Sequence, residues 1–353
     1  MKPGTATGER LEKLLDILPS FALLAGLRLD LFAMLESGPA TASELAERLG
    51  ADRRRLDQLL YALAAVDLLA AEQPAAPGKT APGEHRFRNS LEASRYLVPG
   101  KGKYLAGHQE LLAILWSAAL KTADSIREGR PLAEKDFAAM PGEELTAFLG
   151  GLHSMALQRG RELAGGEWLG GCRRVADIGS GSGGVLIALA GELPELRAVA
   201  VELPRVAEVT RGFVSQSPVA ERIDVAAADL TADEVVVSET DRPRLAPGSF
   251  DAVLMVSFLQ VLSPGQARRV VGRAAGLLRP GGALHVIGAG ILDDGRATPA
   301  KGALCNLAFL NIYEEGRSYT GGEHRDWMRQ AGLAPPELRE LEDGTRVISA
   351  RKP

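Results

Sequence analysis

The stretch RVADIGSGSGGVLIALA, Arg174 to Ala190, decides the fold of this 353-residue chain. Val175 to Ile178 form an apolar run short enough for a buried strand, with Asp177 near its end. Gly179, Gly181, Gly183 and Gly184 follow, and then an Ala-rich apolar segment of helical length. Strand, glycine turn and helix let a backbone pass close to a nucleotide-like ligand, because glycine takes turn conformations that other residues avoid and has no side chain in the way. Gly179, Gly181 and Gly184 also satisfy the G-x-G-x-x-G dinucleotide pattern, so this stretch alone leaves the ligand open.

Working outward, strands and helix-like segments alternate from Cys172 onward. The strands read as RRVADIG, RAVAVEL, RIDVAAADL, FDAVLMVS and GGALHVIGAG. This alternation predicts an α/β domain with a doubly wound parallel sheet, whose ligand lies at the carboxyl ends of the strands. The last segment, LRELEDGTRVISARK, breaks the alternation: two strand-like runs around an Asp-Gly turn predict a terminal antiparallel hairpin. Asp177, Glu202 and Asp229 stand at the ends of successive strands. Glu202 lies about 20 residues past the glycines, where a carboxylate accepts from both ribose hydroxyls, an arrangement that also suits NAD. Asp229 with Leu230 suits adenine better, pairing an acceptor for the exocyclic amine with an apolar group for the ring.

Upstream, residues 9 to 37 read as two helices. Leu11, Leu14, Leu15 and Leu18 share one face, Pro19 and Ser20 punctuate, and a second helix from Phe21 to Leu35 carries Leu27, Leu31 and Leu35 at four-residue steps. These faces suit either a core or a dimer surface. Residues 41 to 98 read as a winged helix: Thr41 or Ser43 caps SELAERLG, Gly50 ends it, Asp52 opens RRRLDQLLYALAAVDLL, and the Pro- and Gly-rich AEQPAAPGKTAPGEHRFRNS suits a wing hairpin. Arg53, Arg54 and Arg55 would begin a recognition helix, but residues 1 to 100 hold twelve Lys and Arg against thirteen Asp and Glu. That balance lacks the basic footprint of a DNA-binding module. Residues 100 to 165 read as helical connectors, with His153 and Met155 either packing residues or walls of a pocket.

Composition removes other classes. The chain is 46% hydrophobic and 24% charged, with net charge −4 and pI near 5.9, which gives no case for nucleic acid or an acidic membrane as partner. Cys172 and Cys305 form no C-x-x-C pair and the five histidines are scattered, so neither a disulfide framework nor a metal site is expected. No signal peptide or membrane span is read, and the cytoplasm is the expected compartment.

Taken together, the motifs resemble the bacterial and plant small-molecule O-methyltransferases that use S-adenosylmethionine. DIGSGSGG stands at the family's glycine motif, VELP at the acidic end of its second strand and AADL at its adenine-contacting motif. FDAVLMVSFLQVLSPGQARRVVGRAAGLLRPGGALHVIG resembles its fourth strand, the helix after it and a P-G-G turn into strand five, and YEEGRSYTGGEHRDWMRQAGL its C-terminal region. The terminal hairpin also suits this family better than an NAD enzyme. The resemblance implies a Rossmann-like class I methyltransferase sheet with a terminal antiparallel hairpin, preceded by an all-helical, winged-helix domain. It implies a winged-helix dimerisation domain at 1–100, a helical connector contributing to the acceptor pocket at 101–165 and an S-adenosylmethionine-binding domain at 166–353. It places Gly179 and Gly181 near the methionine part, Glu202 on the ribose, Asp229 and Leu230 on the adenine, and Val256 and Ser257 beside the cofactor. His153, Met155, Phe258, Asn306 and Phe309 become candidates for the acceptor pocket, in a homodimer acting on a small aromatic or polyketide-like molecule.

One departure stands out. The O-methylating relatives carry His-Asp two residues after the Phe258 position, with the histidine as general base; here those residues are Gln260 and Val261. An amide takes no proton at neutral pH. The acidic partner expected after strand five is also missing, since Gly288-Ala289-Gly290 stands there. A phenol of pKa near 10 is about three units from ionised at pH 7, roughly 4 kcal/mol. Alignment with a sulfonium can supply more, on the order of 7–11 kcal/mol at best. Gln260 is therefore expected to orient the acceptor, with His153 as a possible substitute base. Methylation of oxygen or of an electron-rich carbon both stay open. So do a relative that uses the sulfonium for a non-methylating reaction and a winged-helix regulator that senses the cofactor.

Overall fold

The computed structural model describes residues 11, 14–72, 84–101, 104–105, 109–341 and 343–353. It divides into two compact units, Met1–Gln109 and Glu110–Pro353.

In the first unit Pro19 sits in the first turn of the helix Leu18–Arg28. The uninterrupted helix expected from Phe21 to Leu35 is instead broken at Asp30, which takes a left-handed φ of 52° before the short helix Leu31–Leu35. That break turns Leu31, Phe32 and Leu35 into the core, where they meet Leu45, Leu60, Leu63 and Phe87. Leu11, Leu14, Leu15 and Leu18 stay 65–84% exposed, so the two leucine faces have different fates. Thr41 and Glu44 form a capping box at the start of the helix Ala42–Leu49, and Gly50 ends it at φ 61°. Asp52 caps the helix Arg53–Ala65. Strands β1 (Ala40–Thr41), β2 (Leu69–Glu72) and β3 (Arg86–Asn89) form a small antiparallel sheet in the order β1-β3-β2. Strands β2 and β3 are the arms of the expected wing; its tip, 73–83, lies outside the described residues.

The second unit is an eight-stranded sheet. Its strands are β4 (Arg174–Ile178), β5 (Arg197–Glu202), β6 (Ile223–Asp229), β7 (Val236–Val237), β8 (Phe250–Val256), β9 (Leu278–Gly288), β10 (Glu337–Glu340) and β11 (Arg346–Arg351). The order is β10-β11-β9-β8-β4-β5-β6-β7, with parallel pairing from β9 through β6. The terminal hairpin β10–β11 adds antiparallel to β9. Strand order reverses between β4 and β8, which opens a crevice at their carboxyl ends.

Two details differ from the sequence reading. The Pro280-Gly281-Gly282 segment lies inside β9 rather than forming a turn before it. The C-terminus recruits it: Gly281 N donates to Lys352 O and Lys352 N to Gly282 O, both at 2.8 Å. The short edge strand β7 was not anticipated. One core layer joins Phe250, Met255, Leu284 and Ile348 to the helices Pro264–Leu277 and Gly321–Gln330. The opposite face packs Val175, Leu254, Ile287 and Val347 against the helix Gly184–Glu192. Among the described residues no helix is long and apolar enough to cross a membrane.

Candidate active site

The glycine turn after β4 is required by its surroundings. Gly179, Gly181 and Gly183 have φ of 72°, 57° and 73°, a region that costs other residues roughly 1–2 kcal/mol each. A Cβ on Gly179 would also collide with the ring of Phe258, which follows β8 and so bridges the β4/β8 crevice. Gly184 opens the next helix, where a Cβ would lie 2.8 Å from Ala156 Cβ on the long helix Gly142–Ala164.

Polar groups converge on this turn. Asp177 is 1% exposed, and neither of its carboxylate oxygens nor the Ser180 hydroxyl has a hydrogen-bond partner among the described residues. Burial, with the Glu202 charge adding, holds Asp177 well above the usual carboxylate range. Glu202 accepts from Gly181 N at 2.6 Å and Leu203 N at 3.1 Å. Burial nevertheless outweighs these two bonds and pushes Glu202 up to about 7. Orphaned buried polar atoms beside a side-chain-free turn are what a ligand rich in donors would satisfy. At the end of β6, Asp229 Oδ1 accepts from Thr231 N and Oγ1, both at 2.7 Å, and from Ala232 N at 3.2 Å. Leu230 is buried beside it, its carbonyl held by Arg273. Val256 is half-buried, and Ser257, exposed, turns the chain at φ 53° while its N–H donates to Ile287 O.

His153 lies on this side. Its Nδ1 pairs with Ser182 Oγ at 2.8 Å, its ring stacks on Phe213 at 4.8 Å, and burial lowers its pKa. Met155, two residues on along the same helix, is 46% exposed on another face. No hydrogen bond joins His153 to Gln260 among the described residues.

Gln260 sits on the short 3-10 turn Leu259–Val261. With Ser257, Phe258, Gly288, Gly290, Tyr319 and His324 it lines a narrow crevice. Asn306 enters through a residue that sequence reasoning missed: its Oδ1 accepts from Ser318 N at 2.7 Å, while Ser318 Oγ donates to Gly302 O at 2.8 Å. Phe309 is half-buried one turn further along the helix Ala300–Ile312, 6.0 Å from the Tyr313 ring. His324 donates from Nδ1 to Thr320 O, and burial pushes it down to about 4. Among the described residues no three His, Cys, Asp or Glu side chains cluster as a metal site needs.

Residues 11–99 match the O-methyltransferase dimerisation domain and residues 138–334 the O-methyltransferase domain. The 3-hydroxy-5-methyl-1-naphthoate 3-O-methyltransferase of Streptomyces sahachiroi is 32% identical over 88% of this chain and 85% of its own. The tetracenomycin polyketide synthesis 8-O-methyl transferase TcmO of Streptomyces glaucescens is 27% identical over 98% and 97%. The fold is also that of human N-acetylserotonin methyltransferase in complex with SAM, at TM-score 0.82, 21% identity and 100% and 99% coverage.

Proposed function

We propose how the residues of this chain, which belongs to the O-methyltransferase family and is an S-adenosylmethionine-dependent methyltransferase, divide the work of methylating a small aromatic, polyketide-like acceptor. When bound, the cofactor supplies an activated methyl group on a sulfonium. Glu202 accepts from the ribose hydroxyls, and Asp229 with Leu230 receives the adenine. Gly179 and Gly181 leave room for the methionine part, whose donors suit the orphaned Asp177 and Ser180, with Val256 and Ser257 alongside. Phe258 packs on Gly179 beside the place where donor and acceptor meet and helps exclude water there. Gln260 orients the acceptor by hydrogen bonding, with Asn306, Phe309 and Met155 as pocket walls. His153 holds the glycine turn through Ser182 and is not the base.

The observation that carries this reading is the Phe258–Gly179 contact, which joins the acidic glycine turn to the Gln260 crevice at the point where strand order reverses. Calorimetry with S-adenosylhomocysteine and with NAD tests the donor end. Binding of NAD with no response to S-adenosylhomocysteine would overturn it. A product heavier than the acceptor by one methylene separates methylation from a non-methylating reaction. The chain acts as a homodimer, supported by the dimerisation-domain match and by exposed Leu11, Leu14, Leu15 and Leu18. Light scattering should report twice 37.4 kDa; a monomer at micromolar concentration would refute it. The two free cysteines suit the reducing cytoplasm.

A further inference from the structure

Gln260 lies in a notch that only glycine leaves open. A Cβ on Gly290 would sit 2.6 Å from Gln260 Oε1 and 3.2 Å from Ser318 Oγ, and one on Gly316 would sit 2.8 Å from the Gln260 carbonyl oxygen. Oε1 lies against Gly290, and Nε2 has no hydrogen-bond partner among the described residues. Ser318 spends its hydroxyl proton on Gly302 O and its N–H on Asn306 Oδ1, which leaves the two Asn306 Nδ2 protons available. The ionisable groups lining the crevice are Tyr319 and His324. Tyr319 donates its hydroxyl proton to Leu262 O, and Arg317 above its ring pairs with Glu323. His324 is committed through Nδ1 to Thr320 O and is neutral in its buried position, between Glu323 and Arg325 in sequence. Among the described residues no charged side chain lines the crevice; the polar hydrogens left there without a partner are those of the Gln260 amide and the Ser257 hydroxyl, with the Asn306 amide adjoining through Ser318.

Resting on the methyltransferase reading above, we propose that the Gln260 notch is an oxyanion-holding subsite. It takes an acceptor whose hydroxyl is acidified by a conjugated carbonyl, a vinylogous acid or acyl-phenol, and binds it already ionised. Amide N–H groups of Gln260 and Asn306 hold the oxyanion through charge-assisted hydrogen bonds. A lone pair on that oxygen forms the new O–C bond as the carbon–sulfur bond breaks, and the electron pair of the broken bond passes to sulfur. Anionic and sulfonium charges cancel, and no proton leaves in the step, so no base is needed. Gly290 and Ser318 act as positioning residues, through the space and orientation they leave for Gln260 and Asn306.

The test is Gln260→Glu, an isosteric change that replaces the N–H donors by a carboxylate. An oxyanion subsite predicts a fall in acceptor kcat/KM of about a hundredfold or more at pH 7–9, with S-adenosylhomocysteine affinity unchanged. Equal or higher activity at pH 7 would mean that the carboxylate serves as a base for a neutral acceptor, and overturns the proposal. Gly290→Ala provides a second arm. It should lower acceptor kcat/KM about tenfold in the native background and have little effect in a Gln260→Ala background. A loss that persists undiminished in the double variant refutes the notch. Across phenols with pKa of about 6–10, the rate of the unaltered enzyme should titrate at each acceptor's own pKa; one pKa shared by all acceptors counts against the proposal. An enzyme that binds no S-adenosylhomocysteine fails at the earlier reading instead, and the subsite falls with it.

Discussion

The proposed donor and acceptor ends of the site meet at Phe258 and are built on opposite principles. At the donor end the buried carboxyl of Asp177 and the half-buried one of Glu202 crowd a turn of left-handed glycines, and Asp177 and Ser180 have no partners among the described residues. At the acceptor end the uncharged Gln260 and Ser318 are fitted around Gly290, and Asn306 holds Ser318. A ligand present in every turnover repays a strained receptor with unpartnered polar atoms, because its own donors complete it. The acceptor end carries no such stored cost and relies on the acceptor's chemistry.

The severest way to break this contrast is Gly179→Ala. The left-handed backbone and the Phe258 ring both oppose a side chain there, so S-adenosylhomocysteine binding should weaken by at least about a hundredfold, from roughly 1–2 kcal/mol of backbone strain plus the collision. Normal binding by calorimetry would show that the turn is not a ligand cradle. Glu202→Ala comes next. It should weaken the cofactor by roughly 1.5–3 kcal/mol, the range for hydrogen bonds to a charged group, and leave the acceptor KM unchanged.

A pH series sharpens the contrast further. In the proposed arrangement ribose hydroxyls favour the ionised form of Glu202, so donor binding should expel a proton wherever the free protein holds one. Affinity should therefore fall as pH drops below about 7, by at most about tenfold per unit, and level off above it. Stability of the free protein should run the other way. Glu202 binds its proton more tightly folded than unfolded, so stability declines as pH rises from about 4.5 to about 7. Proton uptake, rather than release, measured by calorimetry in two buffers would contradict this assignment.

The smallest effect is expected from His153→Ala. Loss of the Ser182 contact should loosen the glycine turn and weaken S-adenosylhomocysteine severalfold, with the pH profile of methylation unmoved. A thousandfold loss of activity with cofactor affinity intact would place the base at His153 after all.

Much of the donor end was legible because its residues are close in sequence or recur at strand ends. The glycines, Asp177, Glu202 and Asp229 follow from spacing alone, since a strand of known length places its last residue at a known edge of the sheet. The terminal hairpin was readable for the same reason, from an Asp-Gly turn between two strand patterns. The acceptor end was legible only as a departure: Gln260 where a base was expected. Its partners Gly290 and Ser318 lie 30 and 28 residues further along in turn, and no local pattern links them.

The sequence by itself determined the order of strands and helices, the glycine turn and the three strand-end acids, because hydrophobic periodicity and glycine's freedom are local properties. Tertiary structure decided which of the two leucine faces is buried, the left-handed break at Asp30 turning Leu31 and Leu35 into the core. It brought Pro280-Gly281-Gly282 into β9 through the returning C-terminus. It set His153 against Ser182, and it gave Gln260 a notch at Gly290. Each of these depends on atoms from distant parts of the chain filling or leaving one small volume, and close packing fixes that only once the whole sheet has formed.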